Sequence, residues 1–365
     1  MIIAYGVLRR QAPRVWPSKM ELRWHTSSSL QLAPSHIPQT IATCPEPTCS
    51  CAPTPAFPSG VDPIDTKSQL AGTVAIHNRL VVVGTGPNNS GQNWPSKIEK
   101  GATGTGSEVI KQLKTSMGVR GQYFNEWWNA MVVASSFGGG VDNMQTQKRV
   151  GQLKEEQPST TAIIFPQGIR TSPLSPSEVE ELLQSHILPT EAELKASLGR
   201  RQLPDDDLAK LPKQNTSTTK TLHADPISSI VVFICGHGQR DARCGILGPI
   251  LKTEFEQKLV QLGVIVTEEP LVAGENSETP VTATVGFISH IGGHKFAGNV
   301  VIFVPRNLIG NDLAGKTIWY GRVEPRHVEG IVKTIKEGKV IKELLRGGMD
   351  ENGMMLRNSD FLVDL

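Results

Sequence analysis

Four residues carry the chemistry that this sequence can do. The segment CGHGQRDARCG (235–245) separates Cys235 and Cys244 by eight residues, and SHIGGHKFAGN (289–299) separates His290 and His294 by three. Two soft thiolates and two imidazoles make a four-donor set suited to zinc or to an iron-sulfur cluster. Each pair follows an apolar run that reads as a strand, and strand ends are where α/β sheets usually place their sites. Gly292 and Gly293 remove side-chain bulk and admit positive φ, so the loop between the histidines can fold tightly around a metal. A lone His or Cys is ordinarily core packing; four at loop tips, in two glycine-flanked pairs, are better read as ligands. Zinc fingers separate their first pair by two to four residues, which the Cys235/Cys244 spacing violates. A Rieske centre also mixes two Cys with two His, but Cys244 is followed by Gly-Ile-Leu rather than by a ligand.

Weaker candidates surround this set. His237, Arg240, Asp241 and Arg243 lie between the two cysteines and could hydrogen-bond ligand sulfurs or stabilise added negative charge; the alternative is loop capping by Asp241 with solvated arginines. Lys295, Trp319, Tyr320 and Arg322 could form a docking face for a redox partner, with strand packing as the competing reading for Trp319 and Tyr320. Cys44, Cys49 and Cys51 fall within eight residues of proline-broken chain, which offers a redox thiol cluster, a metal clamp or a plain linker. GTGPNNSG (84–91) follows a strand but lacks the third glycine and the immediate helix of a nucleotide site. No Cys-x-x-Cys occurs, so a thioredoxin-type dithiol is not expected.

These motifs, with IWYGRVEPRHVEGIV (318–332), closely resemble the sucrase/ferredoxin-like family over roughly Cys44 to Gly347. The resemblance implies a thioredoxin-like C-terminal domain holding a [2Fe-2S] cluster on Cys235, Cys244, His290 and His294. Related thioredoxin-like ferredoxins use Cys-x3-Cys for the second pair, and the same spacing appears here with histidines. Two Fe3+ and two S2- sum to +2, so two thiolates and two neutral imidazoles leave the oxidised centre neutral, where four thiolates leave it at −2. Such centres lie at about −150 to +300 mV, against roughly −400 mV for four-Cys plant-type ferredoxins. Sucrose cleavage is not expected, because no carboxylate pair has a glycosidase setting. The implied function is [2Fe-2S] electron transfer or redox sensing, with an unidentified protein as donor or acceptor. The alternatives are a structural zinc module and a thiol enzyme using Cys44, Cys49 and Cys51.

The elements that must position these residues come in two echoing halves. Asn78–Gly84, Ala130–Ser135 and Thr161–Phe165 read as strands, with helices at Ser107–Met117 and Ser177–His186. The second half repeats the order: strands at Ser228–Ile234, Val264–Val266, Val281–Ile288, Asn299–Val304 and Thr317–Arg322, with helices at Gly248–Leu262 and Pro325–Gly338. LVVVGTG (80–86) lies over VVFICGH (231–237), ASSFGGG (134–140) over ISHIGGH (288–294), and TAIIFP (161–166) over NVVIFVP (299–305). In this overlay Gly84, Ser136 and Gly140 stand where the second half has Cys235, His290 and His294. The expected fold is α/β with a mixed sheet, a thioredoxin-like C-terminal domain preceded by a related, degenerate copy. The expected boundaries are a presequence at 1–43, an N-terminal α/β domain at 44–188, a linker at 189–226, the cluster domain at 227–348 and a tail at 349–365.

Composition bounds the rest. Among 365 residues, Lys+Arg 37 against Asp+Glu 35 leaves +2, so no overall field recruits nucleic acid or an anionic membrane. The apolar runs Leu80–Val83 and Ile230–Cys235 are far shorter than the roughly 18 residues of a bilayer span. Five cysteines are too few and odd in number for a secreted disulfide framework. Arg9, Arg10, Arg14, Lys19 and Arg23 against the single acid Glu21, interleaved with apolar residues, have the chemistry of a mitochondrial presequence, which favours the matrix over the intermembrane space.

Overall fold

The apolar runs form the centre of one mixed sheet. In the computed structural model the described residues are 38–138, 158–198, 203–215, 222–274 and 281–356. Most of the basic N-terminal segment and the end of the C-terminal tail lie outside them. The strands are β1 (Gln39–Ile41), β2 (Arg79–Gly84), β3 (Ala130–Ser135), β4 (Ala162–Phe165), β5 (Ile169–Thr171), β6 (Ala224–Pro226), β7 (Ile230–Cys235), β8 (Ile265–Thr267), β9 (Thr282–Ile288), β10 (Val300–Phe303), β11 (Thr317–Tyr320), β12 (Lys339–Ile341), β13 (Leu345–Met349) and β14 (Met355–Leu356). The helices are α1 (Ile98–Gly101), α2 (Thr105–Met117), α3 (Val179–Leu182), α4 (Glu191–Leu198), α5 (Asp205–Lys210), α6 (Ala242–Gln261) and α7 (Pro325–Lys336).

Twelve strands share one sheet in the order β14-β13-β11-β10-β7-β9-β3-β2-β4-β5-β6, with β8 paired to β9; β1 pairs with β12 apart from it. The pairing pattern repeats. β2 runs parallel to β3 and antiparallel to β4, which turns back into β5. β7 likewise runs parallel to β9 and antiparallel to β10, which turns back into β11. The two sets meet back to back where Ser135 opposes Ile288. At this seam Ser136 N donates to Phe287 O and Phe287 N to Ser136 Oγ, while Ser289 N donates to Ala134 O and Ala134 N to Ser289 Oγ. Each serine thus does for the facing strand what its counterpart does in return.

This register adjusts the overlay read from sequence. Gly84 pairs with Ser135 and Cys235 with Ile288, so Gly84 does match Cys235, at an offset of 151. Ser135 then matches Ile288 at 153, one less than the 154 that the glycines suggested. Phe137, rather than Ser136, is therefore the counterpart of His290.

Alternation within the strands divides the core. Ile230, Val232 and Ile234 face Leu247, Leu251, Phe255 and Ile331 of α6 and α7, and Val81 and Val83 face Val109, Ile110 and Leu113 of α2. The other alternate positions, Leu80, Val82, Val231, Phe233 and Cys235 among them, join one buried cluster shared by both halves. The segment expected to be a linker instead carries α4, α5 and β6, because Leu194, Leu198 and Leu208 bury together. Among the described residues no helix is long and apolar enough to cross a membrane.

Candidate metal centre

Cys235 ends β7 and is 3% exposed; Cys244 is 1% exposed. Cys244 is not on a loop tip: it sits in the first turn of α6, which starts at Ala242, six residues before the start expected from sequence. Asp241 caps that helix by accepting from Arg243 N at 3.0 Å. Gly245, which the sequence pattern leaves in a loop, and Gly248, which it takes as the helix start, are packing glycines inside the helix. A Cβ on Gly245 would lie 2.6 Å from Gly238 Cα, and one on Gly248 3.0 Å from Gly236 Cα. Pro249 deprives the Gly245 carbonyl of its helical partner, and Gln92 Nε2 takes that place at 2.8 Å.

The fold brings all four sequence-chosen donors to one place. The two thiols are near enough to influence each other, and His290 near enough to influence Cys235. The His290 and His294 rings lie with centroids 5.3 Å apart. Cys244 donating to Cys235 is the largest influence on both: it drives the Cys235 pKa well below the ordinary thiol value and, with burial, raises that of Cys244. The pair therefore gives up its first proton readily and holds the remaining one, shared between the two sulfurs, tightly. His290 is partly buried, whereas His294 is exposed and brings the site to the surface. Gly292 and Gly293 both take positive φ, at 78° and 65°. Among the described residues no three His, Cys, Asp or Glu side chains are grouped to hold a single metal ion. The donors are disposed as two pairs.

The surrounding candidates divide by what they touch. His237 is buried; its Nδ1 accepts from His290 N at 3.2 Å and its Nε2 faces Pro95 O at 2.9 Å. An N–H can only donate and a carbonyl can only accept, so the ring is the neutral Nε2–H tautomer, in keeping with burial lowering its pKa. The imidazole thus positions the His290 backbone, while the His237 main-chain N–H donates to Cys235. Asp241 and Arg243 satisfy each other, Arg243 donating from Nε at 2.9 Å and from Nη2 at 2.8 Å. Arg240 is exposed beside a cavity of about 200 Å³ that His237, Ser289 and His290 also line. Trp319 and Tyr320 are fully buried strand residues, so they present no docking face.

Two features of the site have no signal in the sequence pattern. The first is a strap over residues 63–73 that engages four basic side chains. Pro63 O accepts from Arg243 Nη1 at 3.0 Å, Asp65 Oδ2 pairs with Lys295 at 3.0 Å, and Asp65 O and Ser68 O each accept from Arg322 at 2.6 Å. Thr73 holds the fourth, Arg346, through Oγ1 at 3.1 Å and O at 2.9 Å. Arg346 is the second feature: 0% exposed, it also donates to Asn299 Oδ1 at 2.7 Å and Gly292 O at 3.2 Å. Burial lowers its pKa to about 10, and the charges of Cys235 and Cys244 oppose that fall.

The N-terminal cysteines lie elsewhere. Cys49 Sγ is 2.9 Å from Lys258 Nζ and 3.1 Å from Glu329 Oε2. Lys258 is fourteen residues beyond Cys244 on the same helix, about 21 Å along its axis. Cys44 packs on α7, its Sγ donating to His327 O at 3.4 Å; burial pushes the thiol up to about 12. Cys51 Sγ lies 3.5 Å from Cys49 O, so none of the three thiols is a ligand of the Cys235 site.

These donors sit on a mixed α/β sheet, and the comparisons place the chain that carries them in a family. It belongs to the Sucrase/ferredoxin-like family, whose profile matches residues 70–347. It is 28% identical over 314 residues to Altered inheritance of mitochondria protein 32 of Clavispora lusitaniae, covering 84% of this chain and 95% of that protein. Identity to the protein of that name from Debaryomyces hansenii is 26% over 322 residues, 87% of this chain and 99% of the relative. The Meyerozyma guilliermondii protein is 45% identical over 122 residues, 33% of this chain and 35% of its own length. No solved structure matches the chain.

Proposed function

We propose that the protein is a [2Fe-2S] electron carrier or redox sensor, with Cys235, Cys244, His290 and His294 as ligands. What supports this reading is the disposition of the donors: the His290 and His294 rings lie 5.3 Å apart, and the buried Cys235 neighbours both Cys244 and His290. A binuclear group takes its ligands in pairs, whereas a structural zinc needs at least three around one point. When bound, the cluster supplies one-electron chemistry at a potential raised by histidine ligation. The chain's own residues supply the rest. His237 holds the His290 backbone, the His237 N–H donates to Cys235, and α6 seals Cys244 from water. The exposed edge of His294 is where a protein donor or acceptor approaches.

The family's printed description pairs sucrase with ferredoxin, and the ferredoxin half suits this donor set. Each half of the sheet reads as thioredoxin-like: a β-α-β unit, then an antiparallel pair, in the order β9-β7-β10-β11 for the second half. Relatives named for altered inheritance of mitochondria support a mitochondrial site of action and the reading of the basic N-terminal segment as a presequence. The test is iron and acid-labile sulfide analysis of anaerobically purified protein, with Cys235→Ser and Cys244→Ser. Two irons in the parent chain and loss of both in either variant is the expected result. Colourless protein with stoichiometric zinc, or full iron retention in a serine variant, would overturn the reading.

A further inference from the structure

Arg346 lies on β13, far in sequence from all four donors, and its guanidinium is wholly buried. All of its acceptors are neutral: Thr73 Oγ1 and O, Asn299 Oδ1 and Gly292 O. Among the described residues no carboxylate forms an ion pair with it. The contrast is Arg79, as deeply buried, which meets Glu193 at 2.6 Å. A dehydrated cation without a counter-charge is costly, and such groups are ordinarily paired. Asn299, which accepts from the guanidinium through Oδ1, also accepts from Cys235 N through its main-chain O at 2.9 Å, which ties Arg346 to the strand end that carries the thiol.

Its position is as specific as its charge. Gly292 O accepts from Arg346 Nη1, and Gly293 O accepts from Asn299 Nδ2 at 3.1 Å, while Asn299 Oδ1 accepts from Arg346. Arg346 and Asn299 thereby hold both carbonyls of the turn between His290 and His294. The guanidinium also fills the space beside Gly293, where a Cβ would come within 2.3 Å of Nη2.

We propose that Arg346 is the positioning residue of this site: it fixes the turn that carries His290 and His294 and supplies the positive charge that balances thiolate ligands. The inference rests on the ligand reading above. A fixed cation beside the ligands favours the reduced, more negative state, so its removal lowers the reduction potential. Arg346→Lys keeps the charge and loses the planar fork; Arg346→Gln loses both. Asn299→Asp retains the arginine and gives it the carboxylate it lacks, cancelling its field if the glutamine variant fails to fold.

Two measurements decide the matter. Amide exchange of Gly292–Phe296 in metal-free protein should quicken at least tenfold in Arg346→Gln and Arg346→Lys. In iron-loaded protein the reduction equilibrium should move at least tenfold toward the oxidised form in Arg346→Gln and Asn299→Asp, about 59 mV for a one-electron couple, and much less in Arg346→Lys. Unchanged exchange in both arginine variants overturns the positioning role whatever metal is bound. A potential equal to or above that of the parent in Arg346→Gln or Asn299→Asp overturns the role of the charge. A parent chain without iron sinks the cluster reading, and the exchange result then still decides the positioning role.

Discussion

Gly292 and Gly293 offer an internal comparison, because adjacent residues with the same backbone demand have different surroundings. Both have positive φ, so alanine at either costs left-handed strain of about 1–2 kcal/mol. A Cβ on Gly292 meets nothing within 4 Å, so Gly292→Ala should cost that strain alone. On Gly293 it would lie 2.3 Å from Arg346 Nη2 and 2.6 Å from Cζ. The tip of a long side chain ordinarily yields cheaply, but this one is buried and hydrogen-bonded on both edges. Displacing it sacrifices at least one hydrogen bond of a charged group, about 1.5–3 kcal/mol, which brings Gly293→Ala to about 3–5 kcal/mol. Urea denaturation of metal-free protein followed by far-ultraviolet circular dichroism measures both costs. In an Arg346→Gln background the gap between the two alanine variants should close, as a double-mutant cycle requires of residues in contact. Equal costs in the parent chain, or a gap that survives loss of the guanidinium, would refute the packing argument.

Three further outcomes are expected. Arg79→Met removes the partner of Glu193 and a guanidinium 4.7 Å from the Trp128 ring centre, and should cost about 3 kcal/mol in denaturation, the low end for a buried pair because Glu193 stays 31% exposed; Lys195→Met, at an exposed pair with Glu191, should leave the urea midpoint unchanged. Burial raises the Glu329 carboxyl, but hydrogen bonds from Lys333, Thr48 and Cys49 outweigh it and hold the pKa below the ordinary range. A depressed folded pKa stabilises above the unfolded value of about 4.3 and is lost as pH falls toward the folded value, so the stability of Glu329→Gln should fall less steeply below pH ~4.5; parallel urea midpoints at pH 7, 4 and 3 would contradict this. On the proposed cluster reading, replacing both His290 and His294 with Cys should add two negative charges to the oxidised centre and lower its potential by roughly 250 mV or more; an equal or higher potential in a two-iron variant would remove the histidines from the ligand set.

What the sequence discloses and what it hides follow from the range of the interactions involved. Ala130–Ser135 and the other apolar runs are legible because a strand buried on both faces needs an unbroken apolar sequence. The four donors are legible because unusual residue types recur beside glycines. The start of α6 is not: the pattern puts it at Gly248, yet the helix begins at Ala242, because Gly245 and Gly248 serve close approach to Gly238 and Gly236, and Gln92 from the other half satisfies the carbonyl that Pro249 leaves free. The overlay of the halves is off by one residue beyond β3 for a related reason. Matching glycines set it, whereas the sheet is set by hydrogen bonds across the seam. Arg346 has no local signature at all, since its acceptors come from residues 73, 292 and 299.

Among the described residues, the same register explains why the first half lacks counterparts of Cys235 and His290. At the position of Cys235 stands Gly84, where a Cβ would lie 2.3 Å from Phe137 O and 2.6 Å from Gly138 O, so no side chain fits. At the position of His290 stands Phe137, whose ring fills the space beside Gly286 and packs on Phe233 at 5.6 Å. The space that a second set of ligands would need is thus spent on the shared core. The first half still serves the site. Gln92 completes α6, Pro95 O fixes His237, Trp94 meets the His237 ring edge-on at 5.7 Å, and the strap before β2 holds Arg243, Lys295, Arg322 and Arg346. The residues that brace the donor set, Gln92, Trp94 and Pro95, directly follow the glycine-rich segment after β2 that by its pattern alone hints at phosphate. The donors belong to the second half, but the groups that fix them come from both.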